Sequence, residues 1–413
     1  MNIGLLQIIN SFLNTKQINA YDAVRDTIQT FDKVAYKAVP VMGEIRRNPS
    51  TTMRPLASDK DGTVYGYSLV SNRYLASSVD GGVTLTQGLL FDEPIQAVVI
   101  SATHIIVSTW TDTTTAGKIY VGSKSNGVAG PFTLKITMDI GVYGVSFSMN
   151  SFYDQLGTDG LYKKNIVLIG EYGRKTLPNP AKRVYLSVDG GDTFSTIFTG
   201  EEITDQHIHT VVYDQYSGRL CMWIGDEFNK TGLYFSDDMG ATWRKVYPTL
   251  DKDQGGVDNV NSTIIVPTPK YLLFCSDKFP NVAIWRWSRE REVLEDMNGG
   301  DITKALHIAH PICVQKSPNI QPYFSRGWVR VSDMEFYIGI GSSSTDPKKS
   351  YIIATGDGGE TLHTIFCDNI PSGGYVGLDS KICLSTNNEI IARYSDATGG
   401  GTLIFTIPEW KVG

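Results

Sequence analysis

Of the six histidines in the chain, two sit two residues apart in Asp205-Gln206-His207-Ile208-His209. In an extended strand, residues i and i+2 point to the same face, so His207 and His209 are expected to present their imidazoles side by side. Two converging imidazoles suit a ligand or metal contact. The same spacing equally suits a hydrogen-bonded histidine pair with no ligand, and spacing alone does not separate the two. His307-Ile308-Ala309-His310 lies in a long loop-like stretch, and His307 and His310 are candidates to complete a site with the first pair. Asp226, with Glu227, follows the next apolar run and offers outer carboxylate partners for the rings. Glu171-Tyr172-Gly173-Arg174 puts a phenol and a guanidinium within one short run. His207, His209, Tyr172 and Arg174 are therefore the candidate catalytic groups, and an ordinary solvated loop is the plainer reading of the 171–174 run. Sugar recognition needs aromatic faces for the apolar side of a pyranose and polar groups for its hydroxyls. Trp110, Tyr172, Phe228, Phe279 and Tyr323 are aromatic candidates, and Glu171, Asp226, His307 and His310 are polar ones. A paired-carboxylate hydrolase site is not visible from spacing.

These residues sit in a chain of 413 residues that is 41% hydrophobic and 19% charged, enough to bury a large core. The 41 glycines and 21 tyrosines suit many tight turns between strands. A net charge of −6 without a long basic run argues against a nucleic-acid partner. Five cysteines are scattered with no C-x-x-C pair, so no zinc site, disulfide framework or cofactor is indicated, and reduced, mostly buried thiols are expected. No stretch is long and apolar enough for a membrane span. The N-terminal run Met1–Asn10 lacks a basic region and a small-residue cleavage site. The expectation is synthesis in a cytoplasm without a secretory signal.

Residues 1–45 read differently from the rest. Ile18, Tyr21, Val24, Ile28, Phe31 and Ala35 recur at three- and four-residue steps, a helical stripe with Asn19 and Asp22 near its start and Pro40 as its stop. Such a stripe packs either on the main body or on copies of itself, and an assembly or anchoring segment is favoured over a simple cap. From residue 50 to 413 the pattern changes to short β-runs separated by turn signals.

Four turns in that region share one pattern: Ser78-Val79-Asp80-Gly81-Gly82-Val83-Thr84, Ser187-Val188-Asp189-Gly190-Gly191-Asp192-Thr193, Ser236-Asp237-Asp238-Met239-Gly240-Ala241-Thr242 and Thr355-Gly356-Asp357-Gly358-Gly359-Glu360-Thr361. The aspartates Asp80, Asp189, Asp238 and Asp357 can accept N–H groups a few residues on, and the glycine supplies a positive φ. This is a structural hairpin device. The Asp189–Asp238 interval is roughly half of the other two, so further units are expected near 126, 288 and 396, where decayed versions occur. Each unit carries four strand-like runs; the last is read as Tyr375–Leu378, Lys381–Ser385, Ile390–Tyr394 and Leu403–Thr406. Seven four-stranded units predict an all-β fold, a seven-bladed β-propeller, or a six-bladed one if the chain ends share a blade.

The four turns resemble the Asp-box, or BNR repeat, of sialidase-like β-propellers. The resemblance covers about 350 residues and implies the fold; related propellers range from glycosidases to sorting receptors and phage tail proteins. It departs from true sialidases, because Arg46-Arg47-Asn48-Pro49 does not match their Arg-Ile-Pro motif. The xyloglucan-cleaving members use two propellers facing a cleft. Some seven-bladed polysaccharide lyases use His with Tyr and Arg, which draws attention to Tyr172 and Arg174.

In such a fold the aspartate turns join third to fourth strands on one face, and second-to-third and interblade loops lie on the other. The long insertions, including Trp110–Lys118, Glu171–Arg183, Leu250–Val260 and Asn298–Gly327, fall on the face away from the aspartate turns, which is where a ligand is expected. A helical segment before a propeller with no export signal resembles a phage virion protein. The first expectation is a tail-type propeller that binds a cell-surface polysaccharide or another virion protein, as a homo-oligomer and by analogy a trimer. A glycan hydrolase or lyase on the same face, and a purely structural propeller, are the alternatives.

Overall fold

The computed structural model describes residues 38–41, 45–48, 53–154, 163–173, 183–200, 207–225, 232–247, 261–276, 284–289, 293–296, 324–341, 348–370, 378–385, 387–394 and 401–412. They form seven four-stranded antiparallel sheets. The first strands of the sheets are Met53–Ser58, Ile95–Ile100, Val142–Tyr153, His207–Asp214, Ser262–Pro267, Phe324–Arg330 and Leu378–Leu384. Each touches the first strand of the next sheet, and the seventh touches the first, so these strands form a closed inner ring. The fold is a seven-bladed β-propeller.

Blades bury both faces. All eight residues of His207–Asp214 are buried, and apolar clusters fill each of the seven seams between neighbouring blades. Between blades 4 and 5, Trp223, Phe235, Phe274, Trp285 and Trp287 interlock; between blades 7 and 1 the cluster is small, with Met53, Val64, Ala76, Cys383 and Ile391. Cys221, Cys275 and Cys383 are buried free thiols, as expected.

The seventh blade corrects the last repeat. Its strands are Leu378–Leu384, Glu389–Tyr394 and Gly401–Thr406, and its outermost strand is Ile45–Asn48 from the other end of the chain. Ile45 pairs with Phe405 and Asn48 with Thr402. A register shift between Leu378 and Ile382 breaks the alternation that made this single strand read as two. The decayed turn near 396 therefore joins second to third strand, and the chain ends share a blade while the count stays seven. A second clasp pairs Ala38–Val41 with Glu409–Val412. Pro40, read as a helix stop, sits in that clasp opposite Trp410, so the propeller begins upstream of residue 50. The helical stripe through Ala35 lies outside the described residues.

All four aspartate turns join third to fourth strands. In each, the first hydroxyl donates to the aspartate and accepts a buried glycine N–H. For Ser187 these bonds are 2.6 Å to Asp189 Oδ1 and 2.7 Å from Gly191 N. Asp189 then accepts Thr193 N–H at 3.0 Å and the Thr193 hydroxyl at 2.6 Å. Gly191 has φ 117°, and its Cα faces Ile106 and Val121 of the preceding blade. That positive φ is what favours glycine here, and the turn lies in van der Waals contact with its neighbour. Ser101 Oγ donates to Gly190 O at 2.7 Å across the same seam.

Ser187→Ala strands the buried Gly191 N–H. The expected cost is about 1–3 kcal/mol, read as a lower urea midpoint at unchanged slope. Burial alone would raise the Asp189 carboxyl, but the Ser187 and Thr193 hydroxyls and the Thr193 and Gly191 N–H groups outweigh it and hold the pKa at about 2, below the ordinary 3.8. A depressed folded-state value stabilises fully above the unfolded value and loses that contribution as pH falls through the folded one. Asp189→Asn should therefore flatten the decline of Tm between about pH 4 and pH 2; an acid limb that superimposes on the wild type contradicts this.

Candidate functional sites at the two ends of the channel

Every innermost strand carries a register shift, at Pro55/Ala57, Ile95/Ala97, Gly144/Met149, Ile208/Thr210, Ser262/Ile265, Ser325/Gly327 and Leu378/Ile382. Such bulges bend a strand and re-aim its side chains. The shift in blade 4 leaves His209 out of the pairing, between Ile208 opposite Ile224 and Thr210 opposite Trp223.

At the face away from the aspartate turns, five rings from blades 2, 3 and 4 stand in a row. Trp110 stacks on Tyr143 with centroids 3.9 Å apart and planes 9° from parallel. Tyr143 meets Tyr172, its register partner, edge-on at 5.7 Å. Tyr172 lies 3.9 Å from the His207 ring, and His207 lies 4.9 Å from His209. Trp110 is fixed by its indole N–H to Thr115 O at 3.2 Å. Both histidines are buried, and their Nε2 atoms approach to 3.0 Å. His207 Nδ1 lies 3.0 Å from Gly173 O of blade 3, and His209 Nδ1 lies 3.1 Å from Ser262 O of blade 5. The structure thus joins Trp110, Tyr172, His207 and His209, and adds Tyr143, which the sequence reading passed over because nothing marks it before the hairpin register is known.

Glu171 is placed differently. Its carboxylate is buried and accepts Arg183 N–H at 3.0 Å, the Arg183 guanidinium at 3.3 Å and the Tyr185 hydroxyl at 2.8 Å. Arg183 also meets Asp139 at 3.2 Å. Burial, then the neighbouring Glu171 charge, pushes the Tyr185 phenol well up. On the same face Glu93 pairs with Lys118 at 2.8 Å, and the Thr114 hydroxyl and N–H hold Asp112 below the usual carboxylate range. Arg174, Asp226, Phe279, His307 and His310 lie outside the described residues, as do Glu227, Phe228 and Tyr323. Among the described residues no group of three or more His, Cys, Asp or Glu side chains is arranged to hold a metal ion.

The aspartate-turn end of the channel holds a cavity of about 250 Å³, lined among others by Lys60, Asn150, Ser151, Tyr153, Trp328 and Arg330. Asp59 is buried there. It accepts the Tyr153 hydroxyl and pairs with Lys124 at 2.8 Å. Lys60 Nζ donates to Tyr153 O at 2.6 Å and lies 4.0 Å over the Tyr153 ring. Arg330 pairs with Asp333 and lies 5.7 Å from the Tyr216 ring centroid. The sequence reading overlooked this end because its turns are short. The available signal was positional: Lys60 follows one innermost strand and Arg330 closes another.

Burial, then the Arg330 charge, lowers the pKa of Lys60. A lysine whose folded value lies below its unfolded one is charged at a cost to folding, and that cost disappears above the unfolded value. Lys60→Met is therefore expected to melt no lower than the wild type at neutral pH, with its relative stability declining as pH rises toward the ordinary 10.5. Tm measured against pH for both proteins checks this.

No family model matches the chain, and no curated protein matches it. Solved structures do. It is similar to a chain of the mitotic checkpoint complex at 10% identity and TM-score 0.49, covering 90% of this chain and 95% of that one. It is similar to YCF48 bound to D1 peptide at 11% identity and TM-score 0.49, covering 91% and 100%. Similarity to puromycin hydrolase is 9% identity with TM-score 0.44, covering 86% of this chain and 52% of that one. These TM-scores lie below 0.5 and carry no assignment; the β-propeller rests on the seven four-stranded sheets and the closed ring of inner strands.

Proposed function

We propose that the chain is a recognition propeller that binds a cell-surface polysaccharide on the face away from the aspartate turns. The observation that carries the reading is the row Trp110–Tyr143–Tyr172, in which half-buried aromatic rings from two blades are locked in place beside the paired histidines. Pre-set aromatic surfaces favour sugar faces because little side-chain freedom remains to be lost on binding. The engagement of Glu171, Glu93 and Asp112 with neighbours supports binding over acid–base cleavage. The helical stripe in residues 1–45 supports display on a virion, as a tail-type component assembled through that segment into a homo-oligomer, for which a trimer is the expected state. A second virion protein would be met through the same face.

The test is a panel of bacterial surface polysaccharides with wild type, Trp110→Ala and Tyr172→Ala. A bound polysaccharide should be released at least about tenfold more readily by each variant, with no new reducing ends or unsaturated uronate. Cleavage products, or variants that bind like the wild type, would sink the reading.

A further inference from the structure

The cavity at the aspartate-turn end of the channel lies within the closed inner ring. All seven inner strands contribute to its wall, from Ala57 and Ser58 of blade 1 to Ile382 and Leu384 of blade 7. Each of these strands pairs on one edge only, with the second strand of its own blade. Its other edge therefore turns main-chain N–H and C=O groups inward. A second cavity of about 170 Å³ shares Lys60, Asn150, Ser151, Tyr153, Trp328 and Arg330 with the first. Two cationic side chains, Lys60 and Arg330, thus border both spaces.

Their contacts leave donors over. Lys60 Nζ donates to one acceptor, Tyr153 O at 2.6 Å, and among the described residues no carboxylate lies within ion-pair distance of it. Asp59, next to it in the chain, is already engaged by Lys124 Nζ at 2.8 Å and by the Tyr153 hydroxyl. Arg330 gives Nη2 to Asp333 and Nε to Ser332 O at 3.4 Å. Both N–H groups of its Nη1 remain unspent among the described residues. Asp333 is itself shared, since it accepts the Tyr216 hydroxyl at 2.8 Å. After burial, the Arg330 charge is the strongest influence lowering the Lys60 pKa, ahead of the opposing pulls of Asp154 and Asp59. Two like charges beside one open space repel, and an anion between them relieves the repulsion.

We propose that this junction binds the oxyanion group of a small ligand, a carboxylate or a phosphate, between Lys60 and Arg330, with the rest of the ligand in the larger cavity. A guanidinium fork and an ammonium point charge together supply charge-assisted donors of the kind such a group accepts. Trp328, Ile264, Ile382 and Leu384 also line the cavity, and they offer apolar contact to an organic body. A volume of about 250 Å³ falls below the roughly 300–1,000 Å³ of drug-sized sites. That sets the ligand at the size of a small organic acid or phosphate ester. The site lies at the opposite end of the channel from the polysaccharide face and stands independently of that reading.

The experiment titrates the full-length chain with benzoate and, separately, with inorganic phosphate by isothermal titration calorimetry. Neutral pH and constant ionic strength are kept so that general screening cancels. Saturable binding of one equivalent per chain is expected for at least one of the two. Tighter binding of benzoate identifies an organic carboxylate as the ligand class, and tighter binding of phosphate identifies a phosphate ester. Lys60→Met and Arg330→Gln should each weaken binding at least about tenfold, the loss expected for one charge-assisted hydrogen bond. Lys135→Met, at an exposed position on the outermost strand of blade 2, should not. If Arg330→Gln fails to fold, Lys60→Met decides, since its melting is expected to be no lower than that of the wild type. No saturable heat with either anion, unweakened binding in a folded Lys60 or Arg330 variant, or equal weakening by Lys135→Met would overturn the proposal.

Discussion

A sheet buried on both faces cannot stand at the end of a row, and that constraint governs this protein. Each blade covers the apolar face of the next, so an open arc would leave two faces such as that of Trp223 and Phe274 in water. The ring must close. The closing seam has the small cluster around Met53 and Ile391, and main-chain pairing supplements it. Ile45–Asn48 completes the seventh blade against Gly401–Thr406, and Ala38–Val41 clasps Glu409–Val412 beside it. These pairings also cover strand edges that would otherwise be free to pair with another chain.

The aspartate turns work within the same constraint. They satisfy their own buried N–H groups through a hydroxyl and a carboxylate, and they seat a glycine directly on the preceding blade, Gly191 on Ile106 and Gly240 on Ile197. Local hydrogen bonding and interblade packing thus coincide in one short run of chain. This is why the repeats were legible in the sequence: the residues that make the turn are adjacent, and their types follow from bonds they make to one another. The second strand of blade 4 was legible for a similar reason, since the unbroken apolar run Leu220–Ile224 is a local pattern, and it is buried throughout.

Closure was not legible, because it is non-local. Ile45-Arg46-Arg47-Asn48 contains a single apolar residue and reads as a polar linker until its partner at the far end of the chain is known. The site was legible in part. The His207–His209 spacing predicted adjacent rings, and they are adjacent, but the bulge at His209 and the carbonyls that face the two Nδ1 atoms come from register and from other blades. The Trp110–Tyr143 stack crosses from blade 2 to blade 3 and leaves no mark in either segment alone. The two ends of the channel also differ in chemistry. One presents stacked rings and paired histidines, and the other gathers Lys60, Arg330 and the buried Asp59 around a cavity. Loop length pointed to the first end and hid the second.

Closure by the N-terminal strand is tested most directly by native-state hydrogen exchange. If Ile45–Asn48 completes the ring, its paired amides exchange together with those of Gly401–Thr406 and at the slow rates of the inner strands, because opening one requires opening the seam. Fast exchange at 45–48 alongside full protection of 401–406 and of Met53–Ser58 would contradict it, and the ring would have to be held by side-chain packing alone.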